Sequence, residues 1–187
     1  MEKSLKEGHA QPHIVWNTRP HEMNKMKKRA ENAFTVARWK FEESNGNLEL
    51  VMQTAEAFGR GLFTEFIKEK PKNWTMKHWV ESTTKEIFNP LGTKAKFTKI
   101  TDNKIKSSVM VPTLLQEMKE QEISSLFTYG FMRGILRSAF PEGELLLGST
   151  MTKDAPMTEF IFKIRATGEE KTERERVKTF FATTMKI

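Results

Sequence analysis

Segment 124–140 constrains the fold of this chain most, because its pattern is helical and it has almost no polar face. A helix that is apolar all round is normally buried on several sides. Gly130 and Gly134 lie one turn apart, so one stripe of the helix lacks side chains and another backbone can approach it closely. The segment therefore predicts a central helix with other layers around it. Its apolar residues are Leu126, Phe127, Tyr129, Phe131, Met132, Ile135, Leu136, Ala139 and Phe140.

Three more helices are predicted before this segment, from apolar residues that recur at three- and four-residue steps. Asparagine and glycine accept the left-handed conformation of a helix end, and proline cannot continue a helix. Thr75 is a good N-cap for the third helix. The predicted helices span 21–43, 48–70 and 75–88, and they are closed by 44–47, by Pro71 and by 89–92.

After Gly92 the apolar period changes from 3.6 to 2, which indicates strands. Segments 95–100 and 105–111 flank an Asp-Asn turn and predict one hairpin, and 144–150 with 158–164 predict a second. Helices and strands occur in separate runs, which is typical of an α+β fold. We therefore predict a helical layer on a mainly antiparallel four-stranded sheet, made of two hairpins that flank the buried helix.

The predicted domain spans 21–165, after a flexible arm (1–20) and before a charged tail (166–187). The first dozen residues lack an apolar signal region, and no run approaches the 18 apolar residues of a membrane span. The absence of cysteine excludes disulfides, thiolate metal sites and a cysteine nucleophile. We expect a cytoplasmic protein with no membrane partner.

No motif in the sequence assembles a catalytic or metal site. G-x-S-x-G, H-E-x-x-H and a Walker loop are all absent, and the histidines lack carboxylates at ligand spacing. Gly59 and Gly61 follow a helical pattern rather than a strand, so we interpret both as permitting close helix packing. The net charge of +7 is interspersed with acidic residues, and no base-reading motif appears. We expect no catalytic residue, no metal, no cofactor and no nucleic-acid partner.

Three stretches carry a resemblance to a known family: FGRGLFTEF (58–66), GTKAKFTKITDNKIKSSVMV (92–111) and YGFMRGILRSAFPEGELLLGSTMTKDAPMTEFIFKI (129–164). Together they resemble the 4-vinyl reductase, or hydrocarbon-binding, domain family, whose fold is shared with TRAPP vesicle-tethering subunits and haem nitric-oxide-binding domains. Ser149 and, roughly, Met157 stand where that family commonly has cysteines, so a thiolate site is lost. Segment 29–46 is more weakly similar to amino-thiazoline-carboxylate hydrolase-like proteins.

The resemblance implies a sensor-like domain that binds a small hydrophobic or aromatic acid between the helices and the sheet. Arg133 and Arg137 lie on the apolar helix, where a guanidinium group must find an anion or a carbonyl. Arg133 could hold a ligand carboxylate, or both arginines could emerge at the surface or pair with Glu56, Glu65 or Glu144. The candidate ligand-binding residues are Phe58, Leu62, Phe63, Tyr129, Phe131, Arg133 and Arg137.

Three functions remain open from the sequence. The first is a non-catalytic small-molecule-binding domain, which we expect to be a homodimer. The second is a hydrolase-like enzyme, which the missing cysteines and the lack of an acid–base group count against. The third is a protein–protein adaptor, as the tethering subunits of the same fold are.

Overall fold

The computed structural model of the chain describes residues 20–98, 101–110, 123–149 and 157–165, and the single residues 167, 175 and 179. The predicted loop or short helix at 113–122 lies outside these residues. The predicted arm (1–20) and tail (166–187) lie almost wholly outside them. The boundaries of the arm and the tail therefore stay predictions.

All four predicted helices are present. The third is not uniform, because it passes from an α-helix into one π-helical stretch before its last turn. The helices are α1 (Pro20–Glu43), α2 (Leu48–Phe66), α3 (Met76–Thr83) with its π-helical extension (Thr84–Phe88), α4 (Asn89–Leu91) and α5 (Ser124–Ala139).

The helix ends follow from local sequence. Asn45 and Gly46 take positive φ angles of 54° and 89°, which turns the chain from α1 into α2. Thr75 caps α3, since its hydroxyl accepts a hydrogen bond from the backbone N–H of His78 at 3.2 Å. Gly92, with φ 72°, ends α4 in the left-handed conformation. The end of α1 and the start of α3 confirm the prediction. The third helix was predicted to end at residue 88, and this end is wrong, because the chain stays helical through Asn89–Leu91 and stops only at Gly92.

Helix α2 is shorter than predicted, because it ends at Phe66 rather than at Lys70. Ile67 leaves the helix with φ −74° and ψ 109° and is only 2% exposed. The next backbone N–H, that of Lys68, donates to the Glu86 carboxylate at 2.8 Å. The chain thus leaves the helix early because Ile67 enters the core and the Glu86 carboxylate accepts the hydrogen bond of the Lys68 N–H.

The strands form one antiparallel four-stranded sheet in the order β1-β2-β4-β3. Each predicted hairpin is present, and the pairing of β2 with β4 joins the two hairpins into one sheet. The register shifts between Leu147 and Ser149 of β3, which marks a bulge near its end. The strands are β1 (Ala95–Thr98), β2 (Lys104–Met110), β3 (Glu144–Ser149) and β4 (Met157–Lys163).

Helix α5 lies between the sheet and the other long helices, as predicted. Every residue from Leu126 to Leu136 is buried. On one side the hydroxyl of Tyr129 donates to the carbonyl oxygen of Leu145 in β3 at 3.0 Å. On the other side α5 packs along α2, and α1 covers α2. The predicted central helix and the α+β architecture are therefore confirmed.

Candidate functional site

Helices α2 and α5 touch backbone to backbone. A Cβ atom at Gly130 would lie 2.6 Å from the carbonyl oxygen of Met52 and 2.9 Å from the Cβ of Ala55. A Cβ at Gly134 would overlap the carbonyl group of Glu56, and one at Gly59 would lie 3.3 Å from the Cα of Gly134. The predicted close approach of another backbone is confirmed, and the stripe along which these helices meet is closed.

Gly61 does not take part in this close packing. A Cβ built there would have the guanidinium of Arg29 as its nearest neighbour, at 4.0 Å. The prediction that Gly61 serves close helix packing is therefore wrong. It is two residues from Gly59, so it points away from α5 on the far side of α2.

Arg133 finds its anion within the chain. Its guanidinium donates to the carboxylate of Glu56, which also accepts from Arg60 at 2.7 Å. The side chains of Arg133 and Glu56 are only 11% and 15% exposed. The other two predicted partners are engaged elsewhere. Glu65 pairs with Lys25 at 2.8 Å and with Arg29, and Glu144 accepts from the hydroxyl of Thr167 at 2.6 Å. A ligand carboxylate at Arg133 would have to compete with Glu56.

Arg137 closes the turn after α5. Its Nε donates to the carbonyl oxygen of Gly143 at 3.1 Å, and the residue is half-buried. The two arginines of the apolar helix therefore both have partners within the chain. A buried guanidinium needs an anion or a carbonyl, and Glu56 supplies the first to Arg133 while Gly143 supplies the second to Arg137.

Four phenylalanines form a continuous row where α1, α2 and α5 meet. The rings of Phe58 and Phe131 stack with centroids 5.4 Å apart, and Phe58 lies 6.1 Å from Phe127. Phe127 in turn meets Phe34 edge to face at 5.3 Å. Phe58 is half-buried, whereas the other three are buried. We call Phe34, Phe58, Phe127 and Phe131 the aromatic row.

The remaining predicted lining residues lie elsewhere. Tyr129 faces the sheet, with its ring 6.5 Å from that of Phe160, so it lies on the opposite side of α5 from Phe131. Phe63 packs edge to face on Trp74 at 5.4 Å, and Leu62 is fully buried in α2. The structure thus brings Phe58 and Phe131 together, while Tyr129 and Phe63 belong to two other contacts.

His78 is half-buried, and its ring lies 5.4 Å from that of Trp74. Among the described residues, no three His, Cys, Asp or Glu side chains gather where they could hold a metal ion. No helix within the same residues is long and apolar enough to cross a membrane.

An exposed apolar pair on α1 was missed by the sequence analysis. Trp39 is 59% exposed and Val36 is 44% exposed, and among the described residues these are the large apolar side chains that lie open to solvent. The signal was available, because a helical period places both residues away from Phe34 and Ala37, which are buried. The exposed residues around this pair form what we call the outer face of α1. It consists of Lys28, Asn32, Thr35, Val36, Trp39 and Glu43.

Comparison with known proteins identifies the fold. No family model matches the chain, and a search of curated proteins found no match. Among solved structures, it is similar to a trafficking protein particle complex (TRAPP) subunit 3 from Naegleria fowleri that is covalently bound to palmitic acid. The TM-score is 0.50 at 14% identity, over 75% of this chain and 95% of that one. The chain therefore has the TRAPP-like α+β fold that the resemblance implied.

Proposed function

We propose that this protein is a non-catalytic adaptor that holds a partner chain on the outer face of α1. The observation that carries the proposal is the exposure of Trp39 and Val36, at 59% and 44%, in the second half of a 24-residue helix. An exposed tryptophan keeps a large apolar surface in water, and its burial against a partner is favourable.

The surroundings of this pair have the composition of a protein interface. Tryptophan is among the residues that most often dominate binding energy at the centre of an interface. Lys28 and Glu43 lie about two turns before and one turn after the pair, on the same face of the helix. An apolar centre with a charged rim is the usual anatomy of a specific contact between proteins.

The fold supports the same proposal. The similar protein from Naegleria fowleri is a subunit of a multi-protein complex, as its description states. At 14% identity that likeness establishes the fold alone. It shows that this architecture can serve in a protein complex, but it identifies no partner for this chain.

The test is the native size of the protein in an extract of its own cells. Trp39→Gln is expected to shift the protein from a larger assembly to the size of a free chain. Thr64→Gln is the matched control, because it places the same residue at an exposed position of α2 and is expected to leave the assembly intact. An assembly that survives Trp39→Gln, or a wild-type protein that runs as a free chain, would refute the proposal.

A second candidate function is the binding of a small hydrophobic acid, in line with the resemblance to hydrocarbon-binding domains. The aromatic row favours this function. Three of its rings are buried and Phe58 is half-buried, so the row reaches the surface of the protein at Phe58. Palmitic acid in the similar structure is a precedent for an apolar acid on this fold. The binding would be non-covalent or would use a group other than a thiol, since the chain has no cysteine.

This candidate predicts that palmitic acid raises the melting temperature of the purified protein. Phe58→Ala is expected to abolish that rise, because the variant removes the ring that links Phe127 to Phe131. Arg133→Ala is expected to weaken binding if the guanidinium leaves Glu56 for the ligand. Mass spectrometry of an extract of the denatured protein would identify an acid that co-purifies. No rise with palmitic acid or with an aromatic acid such as cinnamic acid, and no co-purified acid, would remove the candidate.

A further inference from the structure

We infer that Asn45 is a modification site. Its side-chain amide is lost through a cyclic imide formed with the backbone nitrogen of Gly46, and the turn between α1 and α2 controls the rate. The reacting groups belong to the chain itself, and water is the co-reactant. This chemistry concerns residues 44–47 alone, so it is independent of any partner on α1.

The sequence supplies the reactive pair once, since Asn45-Gly46 is the single Asn-Gly step of the chain. The reaction requires the backbone nitrogen of the following residue to reach the Cγ atom of the asparagine. Glycine has no side chain to hinder that approach. Asparagine is one of the thermolabile residues of proteins. Asn45 is also exposed, so its amide group is open to water.

The reaction runs in two steps. The Gly46 nitrogen gives its proton to a base and forms a bond to Cγ of Asn45, while the bond from Cγ to the side-chain nitrogen breaks and that nitrogen leaves as ammonia. The product is a succinimide ring. Water then opens the ring at one of its two carbonyl groups, which gives aspartate or isoaspartate. In sum, an amide and water become an acid and ammonia, and no electrons are transferred to another group.

The native turn holds the attacking nitrogen back. The Gly46 N–H donates to the carbonyl oxygen of Phe41 at 2.9 Å, and the Asn45 N–H donates to that of Glu42 at 3.3 Å. These are the two bonds of a Schellman motif, which also explains the positive φ angles of Asn45 and Gly46. The nitrogen that must attack is therefore engaged with α1 through its own proton. The reaction requires the end of α1 to open locally first.

Ser44 strengthens this closure. Its hydroxyl donates to the Phe41 carbonyl oxygen at 3.2 Å and accepts from the backbone N–H of Asn47 at 3.2 Å. One side chain thus ties the last turn of α1 to the residue that caps α2. Ser44 is a positioning residue, because it makes opening of the turn less favourable and so slows the loss of the amide.

The modification changes the end of α1 permanently. Isoaspartate places an extra methylene group in the backbone before Gly46, so the bond to the Phe41 carbonyl is lost. Both products add a carboxylate next to Glu42 and Glu43, at the helix end where the dipole disfavours negative charge. We expect the modified chain to melt at a lower temperature than the fresh protein.

The test is incubation of the purified full chain, folded and in urea, at neutral and at mildly alkaline pH. Peptide mass spectrometry locates the amide that becomes an acid, and methylation by an isoaspartyl methyltransferase measures the isoaspartate. Asn45 is expected to convert faster at the higher pH, and more slowly in the folded chain than in urea. Asn47 is the internal control, because it is also exposed but precedes Leu48, and it is expected to stay an amide in the folded chain.

Three variants complete the test. Asn45→Gly is expected to abolish the methylation and to keep the turn, since glycine accepts the positive φ angle. Ser44→Ala is expected to speed conversion of the folded chain about fivefold, the effect of losing one ordinary hydrogen bond, and to leave the rate in urea unchanged. Thr35→Ala is the matched control, because it removes another hydroxyl that bonds to the backbone of α1 and is expected to change neither rate.

Each of three results would overturn the inference. In the first, Asn45 stays intact in the folded chain while it converts fully in urea. In the second, the folded and unfolded chains convert at the same rate, so the turn exerts no control. In the third, Ser44→Ala converts no faster than Thr35→Ala.

Discussion

Replacing Gly130 by alanine tests the contact that fixes the central helix in the fold. The new Cβ would lie 2.6 Å from the carbonyl oxygen of Met52, a backbone atom that cannot rotate away. Restoring an ordinary contact of 3.4 Å requires α2 and α5 to part by about 0.8 Å. A gap of that size forfeits a quarter to a half of the dispersion attraction between atoms that face one another across it.

The expected net effect is a destabilisation of about 2 kcal/mol. Overpacking of this kind costs about 3 kcal/mol, while alanine in a helix is favoured over glycine by about 1 kcal/mol. For a chain of this size, each kcal/mol corresponds to about 2–4 °C in melting temperature, so we expect a fall of about 4–8 °C. Thermal unfolding followed by circular dichroism measures it.

Gly61→Ala is the matched control, because it makes the same chemical change in a helix, and outside the adjoining backbone no atom lies closer than 4.0 Å to the new Cβ. Only the helix preference remains there, so we expect this variant to be more stable than the wild type by about 0.5–1 kcal/mol. If Gly130→Ala is as stable as the wild type, or gains stability like Gly61→Ala, then α2 and α5 do not meet at Gly130 and the layered arrangement is wrong.

The remaining predictions concern single contacts of the core and the helix ends. Tyr129→Phe removes the hydrogen bond to the Leu145 carbonyl and is expected to cost about 1 kcal/mol, measured by guanidinium unfolding; an unchanged midpoint would contradict the bond. Glu56→Gln removes the negative charge facing Arg133, at an expected cost of about 2 kcal/mol because the amide can still accept a hydrogen bond. A urea midpoint equal to that of the wild type would show that the pair adds nothing. Thr75→Ala removes the N-cap of α3 and should lower stability by about 1 kcal/mol, which a thermal scan detects.

The elements of this fold that depend on local pattern could be predicted from the sequence. The apolar period and the two glycines of α5 specify a helix that is covered on several sides and approached by another backbone. The hairpins follow from alternation and turn residues. The end of α2 could not be predicted, because it depends on Glu86, which is distant in the chain and satisfies the Lys68 N–H. Long-range contacts of this kind leave no periodic signal.

The candidate site was less predictable than the fold. Three carboxylates were plausible partners of Arg133, and only the packing of α2 on α5 selects Glu56. Tyr129 and Phe131 are both apolar residues of one helix, but a two-residue step places them on opposite sides of it, so they cannot line one wall together. The exposure of Trp39 could be predicted from the helical period of α1. The period shows which side of the helix faces outward, but it does not show what covers that side.

The pairing of β2 with β4 has a consequence for how the chain folds. These strands are neighbours in space but are separated in the chain by α5 and β3, so their ladder forms only after the second half has been synthesised. Until then, β2 presents an open strand edge, and the face of α2 that carries Gly59 has no helix to meet. Both are surfaces prone to misassembly. Fragments ending near residue 110 should therefore aggregate, and folding should depend on the late arrival of the carboxyl-terminal half.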